Sequence, residues 1–131
     1  MDITEQDAKF RVTIDVFSGR PNPTWEMTSE EAKRLLAMFR AVSSSKADLV
    51  SRATPPGLGY RGIVVTRLKG DETVPEETRV FNSILSIRKA GSISYHEDNA
   101  KIQEFFLSQA KAKGHAALIE KMSATQRPSA R

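Results

Sequence analysis

The sequence predicts a small α+β protein: a mostly antiparallel sheet with helices on one face, in the order β-α-β-β-α. Three observations carry this. Residues 10–17 alternate apolar and polar as a half-buried strand does, residues 29–42 repeat apolar side chains at helical spacing, and residues 61–88 are rich in β-branched residues around one acidic turn. A sheet covered by two helices buries both kinds of apolar face, which makes a two-layer domain the simplest architecture. At 131 residues the chain is about one domain long, expected to span 1–122, with 123–131 as a frayed tail lacking an apolar pattern.

The first strand places Phe10, Val12, Ile14 and Val16 on one side, with Arg11, Thr13 and Asp15 on the other. Ser18-Gly19-Arg20-Pro21-Asn22-Pro23 then stops it, because two prolines and a glycine cannot continue a ladder. Thr24 to Met27 reads as a short extended piece. Thr28-Ser29-Glu30-Glu31 matches a capping box, and Ala32, Leu35, Leu36, Phe39 and Val42 form one stripe, so a helix is expected over 29–42.

Residues 43–60 read as a long connection ending in Pro55-Pro56-Gly57-Leu58-Gly59-Tyr60. Arg61 to Leu68 is expected to be a second strand and Thr78 to Arg88 a third, joined by a wide acidic turn over 70–77. Ala90 to Tyr95 either ends that strand or adds a short one. A second helix is expected from about Asp98, with Ile102, Phe105, Phe106, Gln109 and Ala110 along one face, an interruption at Gly114, and one or two further turns to Met122.

Composition removes several kinds of chemistry. The absence of cysteine excludes disulfides, thiolate catalysis, Fe–S clusters and Cys-type zinc sites. No segment approaches the roughly 20 apolar residues that span a bilayer, and no secretory leader pattern opens the chain. A cytoplasmic protein without membrane contact is expected. The phosphate-binding, dinucleotide, nucleophile-elbow and zincin motifs are missing, so no cofactor and no metal are expected. His96-Glu97-Asp98 sets an imidazole beside two carboxylates, suggesting a metal or acid/base group, but acidic residues at a helix start account for the pattern equally.

The net charge of +4 is segregated: residues 32–70 carry +7, between segments of −4 and −3. A basic stretch attracts anions, nucleic acid included. It holds no dense Lys/Arg cluster and only Phe39 and Tyr60 as aromatics, so nucleic acid is the less favoured partner.

Two proline-stiffened loops combine arginine with aromatic residues. Ser18, Arg20, Asn22 and Trp25 belong to the first, Tyr60 and Arg61 to the second, and these six are the candidate ligand-binding residues. A rigid loop loses little entropy on binding, and a guanidinium holds a carboxylate or phosphate bidentately. If Arg61 opens a strand beside the first one, both loops lie at one end of the sheet. A purely structural role is the competing reading, with Trp25 in the core and Arg20 paired to Asp15 or Glu26. Phe17-Ser18-Gly19-Arg20-Pro21-Asn22-Pro23-Thr24-Trp25 with Leu58-Gly59-Tyr60-Arg61-Gly62 resembles a signature of small bacterial proteins of unassigned function; the resemblance implies no activity, cofactor or partner.

The expected function is that of a non-catalytic binding or accessory protein holding an anionic small molecule or a protein partner. One alternative is a small enzyme acting on an anionic metabolite, with Asp15 or Glu26 as general base and Arg20 and Arg61 holding the substrate. The other is nucleic-acid binding through residues 32–70. A homodimer through the outer sheet face is a further possibility for this architecture.

Overall fold

The computed structural model describes residues 8–16, 21–42, 44–54, 61–70, 72–99 and 101–120. Six strands make one sheet in the order β2-β1-β3-β4-β5-β6, every neighbouring pair antiparallel. They are β1 (Lys9–Ile14), β2 (Thr24–Glu26), β3 (Ile63–Lys69), β4 (Glu77–Phe81), β5 (Ile84–Lys89) and β6 (Ser92–Glu97). The helices are α1 (Ser29–Arg40), the short α2 (Val50–Ala53) after a 3-10 turn at Ala47–Leu49, and α3 (Ile102–Ala112). The protein is thus of the α+β class.

Local chemistry accounts for the element starts. Thr28 Oγ1 accepts from the Glu31 amide at 3.1 Å, and the Glu31 carboxylate accepts from the Thr28 amide at 2.9 Å, which closes the capping box of α1. The Asp98 carboxylate accepts from the amides of Ile102 and Gln103 at 2.7 and 3.0 Å, serving the orphan donors at the start of α3. That is the structural role expected of an acidic residue there. Beyond Gly114, whose φ is +97°, residues 116–120 form a further helical turn and bury Ile119. Residues from 121 on, and with them the expected frayed tail, lie outside the described residues.

The sheet has more strands than the sequence pattern indicates. The expected single strand over 78–88 is two, folded at Asn82-Ser83, where both residues have positive φ (55° and 63°). A two-residue turn of this hand matches the twist of the flanking strands, and asparagine tolerates the first position. Ala90-Gly91 makes a second such turn, so Ser92–Glu97 returns as a full strand. Thr24–Glu26 pairs with β1 and becomes the opposite edge.

The core lies between the sheet and the helices α1 and α3. Phe10, Val12 and Ile14 of β1, Ile63 and Val65 of β3, Val80, Leu85 and Ile87 meet Leu35 and Leu36 of α1 and Ile102 and Phe106 of α3. The connection over 43–60, expected to be irregular, contains the 3-10 turn and α2. These pack on the other side of the sheet, where Leu49 and Ala53 cover Ile84 and Tyr95. These two short helical elements therefore depart from the expected one-sided arrangement. The reason is local: Ile84 is the single wholly buried residue on the outward register of β5 and needs an apolar cover. Elsewhere on that outer face a polar row crosses the strands, with Arg11 opposite Glu26 and Thr66, and Glu77 between Thr66 and Arg88, while Ile93 stands exposed beside Arg88.

Candidate functional site

Among the described residues, two places bear most directly on ligand binding. The first is the end of the sheet where the two sequence-selected loops begin. The Asp15 amide donates to the Gly62 carbonyl at 2.9 Å and the Arg61 amide to the Asp15 carbonyl at 2.7 Å, so the two loop roots are stitched together. Gly62 is required here: its φ is +107°, and a Cβ would stand 2.5 Å from the Val80 carbonyl oxygen. Arg79 of β4 reaches across β3 to donate to Asp15 Oδ2 at 2.9 Å and to the Arg61 carbonyl at 2.6 Å. The Arg61 guanidinium lies 3.5 Å from the same carboxylate oxygen. Asn22 accepts from the Val16 amide at 3.0 Å and donates to Asp15 Oδ1 at 3.5 Å.

Of the six candidate binding residues, Asn22 and Arg61 thus meet at Asp15, where each contributes to holding the chain in place. Ser18, Arg20 and Tyr60 lie outside the described residues. Trp25 sits on the other side of the sheet, beneath the helices. Its indole N–H donates to Gln109 Oε1 at 2.9 Å, and its ring stacks on His115 with centroids 5.9 Å apart. It is 9% exposed and part of the core. The structure therefore does not bring Trp25 and Arg61 around one cavity. Glu26, the alternative general base, is exposed on the β2 edge strand opposite Arg11. Arg79 was not singled out by sequence reasoning, because its partnership with Asp15 exists only once β1, β3 and β4 are in register.

The basic segment 32–70 is dispersed over several elements. Lys33 pairs with Glu30 on α1, Arg34 lies over the Phe105 ring, Lys46 pairs with Glu97, and Arg61 with Asp15 on the opposite face. Arg67 donates to the Val74 carbonyl at 2.8 Å and ties down the acidic turn.

The second place is a cleft of about 350 Å³ between the end of α1 and strands β5 and β6. That volume falls within the usual range for small-molecule sites. Leu36, Phe39 and Val42 line it from α1 and the residues just after it, Ile87 lines it from β5, and Thr73 and Pro75 from the acidic turn. Two cations, Arg40 and Lys89, line it, and no carboxylate does so among the described residues. Ser94 and His96 complete the lining from β6. They are two positions apart on a strand and so project from the same face, and Ser94 Oγ lies 2.8 Å from His96 Nε2. The neighbouring acidic residues go elsewhere, Glu97 to Lys46 and Asp98 to the start of α3. No group of three metal-binding side chains occurs among the described residues.

Sequence reasoning missed this cleft. Its one available signal was the Ser94-Tyr95-His96 alternation, which acquires meaning only when residues 92–97 are recognised as a strand. Comparison with protein-family models, curated proteins and solved structures finds no match for the chain. Among the described residues no helix is long and apolar enough to cross a membrane.

Proposed function

We propose that the protein binds a small amphipathic anion, a carboxylate with a short apolar body, in the cleft between α1 and β5–β6. The observation that supports this reading is that Arg40 and Lys89 line one cavity together with the apolar side chains of Leu36, Phe39, Val42 and Ile87. A cation pair orients an anionic head, and the apolar surface supplies most of the affinity for the body. The function is ligand binding, as the loop composition suggested, but its seat is on the helix-facing side of the sheet. At the loop roots the guanidinium of Arg79 is committed to Asp15 and to the Arg61 carbonyl. One chain builds the cleft, so the reading requires no dimer. A cytoplasmic setting, as expected from the sequence, belongs to the same proposal.

Calorimetric titration with hexanoate, and with hexanol as the neutral control, tests it. Hexanoate should bind, hexanol should bind at least about tenfold more weakly, and the Arg40→Gln/Lys89→Gln double variant should lose the difference between them. Equal binding of the two probes, or hexanoate binding unchanged in the double variant, would overturn the reading.

A further inference from the structure

The hydroxyl–imidazole pair inside this cleft is not needed for anion binding, and it has the composition of an activated nucleophile. We propose that Ser94 and His96 make the cleft a hydrolytic site for small esters of short-chain carboxylic acids. This inference rests on the proposed anion binding, because the acid released by such a reaction is a member of the same ligand class.

The geometry supplies the first requirement of nucleophilic catalysis, a serine hydroxyl within hydrogen-bond reach of a base, at 2.8 Å. Either atom can donate in this bond, and with the proton on Nδ1 the Nε2 lone pair accepts from Ser94. Both side chains are half-buried on an antiparallel strand, opposite Ile87 and Leu85 respectively, so the pair is held by sheet register. Arg40 and Lys89, which would hold a carboxylate, line the same cleft as the hydroxyl, and a cation near a reacting carbonyl favours the negative charge that develops on its oxygen.

The steps balance without an oxidant or metal. Ser94 Oγ bonds to the ester carbonyl carbon while its proton passes to His96 Nε2. The tetrahedral adduct collapses, the carbon–alkoxy bond breaks, and the leaving alcohol takes that proton. Water then attacks the acyl-serine carbon and gives a proton to His96. The carbon–Oγ bond breaks, Ser94 recovers its proton from His96, and the acid ionises against Arg40 and Lys89.

The test uses p-nitrophenyl butyrate with the full chain, alongside labelling by a fluorophosphonate probe read by intact mass and peptide mapping. The wild type should turn the ester over, and Ser94→Ala and His96→Gln should each lower the rate by about a hundredfold or more. The label should map to Ser94, and hexanoate should inhibit competitively. Turnover that persists in Ser94→Ala, or labelling confined to other residues, would overturn the proposal; labelling of the wild type needs no variant to fold. Hexanoate binding with no turnover would overturn the activity and leave the binding site standing. Turnover that hexanoate does not inhibit would separate the activity from the anion cleft and sink the proposal as stated.

Discussion

Arg79 and Asp15, 64 positions apart, meet at 2.9 Å across the intervening strand β3. Their side chains are 24% and 20% exposed, so the pair is shielded enough for its charge-assisted hydrogen bond to contribute to stability. Because Arg79 also donates to the Arg61 carbonyl, one guanidinium ties β4 to the roots of both proline-containing loops. Arg79→Ala should cost about 1–3 kcal/mol, and so should Asp15→Asn. The double variant should cost less than the two losses combined, and denaturant unfolding of all four proteins measures the coupling. Strict additivity would mean that the two side chains act independently.

Trp25 and Gln109 provide a second long-range link. The Gln109 side-chain Nε2 is buried without a hydrogen-bond partner among the described residues, while its Oε1 accepts from the indole. Gln109→Leu removes the unsatisfied amide but leaves the indole N–H unpaired, at a cost of about 1–3 kcal/mol. Combined with Trp25→Phe, the same change should cost less than the two single losses together. Thermal unfolding of the set checks this.

The turn joining β4 and β5 holds a side-chain-bearing residue, Ser83, at φ 63°. L-residues lose roughly 1–2 kcal/mol in this region, part of which glycine recovers. Ser83→Gly should therefore raise stability by about 0.5–1 kcal/mol, with a higher Tm. A lowered Tm would show that the Ser83 side chain makes a compensating contact.

Gly62 should behave in the opposite way. A methyl group there faces both an unfavourable φ and the Val80 carbonyl, so Gly62→Ala should lose more than about 1 kcal/mol. The effect should be concentrated at the stitched loop roots, and amide hydrogen exchange at Asp15 and Arg61 reads it directly. Unchanged protection there would contradict the assigned close approach.

Thr28→Ala removes one half of the capping box and should cost about 1 kcal/mol, with the loss of helicity at the start of α1 visible by NMR. Thr28→Ser should restore most of it, since a hydroxyl is all that the Glu31 amide requires.

The parts of the fold legible in the chain are those whose causes are close in sequence. The alternation of Phe10, Val12 and Ile14 states a half-buried strand wherever that strand pairs, and all three are buried. Thr28 and Glu31 sit three residues apart and need only each other's backbone, so α1 was readable from its first residue. The acidic cap of α3 and the interruption at Gly114 were readable for the same reason.

Other features come into being only through pairing at a distance. Nothing within 78–88 announces a reversal more strongly than Asn82, because Ser83 reaches positive φ only when β4 and β5 close on each other. Residues 24–26 and 92–97 are strands because β1 and β5 offer them edges. Trp25 stands in a stretch whose composition suits a binding loop, yet the one-residue alternation of β2 turns it toward Gln109 and the core. The cleft depends on the same kind of event: Arg40, Lys89, Ser94 and His96 come from three elements, and only sheet register and the packing of α1 bring them to one cavity. Hydrophobic period and end-capping are short-range forces, written where they act, and they made the strand, helices and α+β class readable. Which face a side chain presents, and which distant charge it meets, was decided by register, and a shift of one residue would have reversed it.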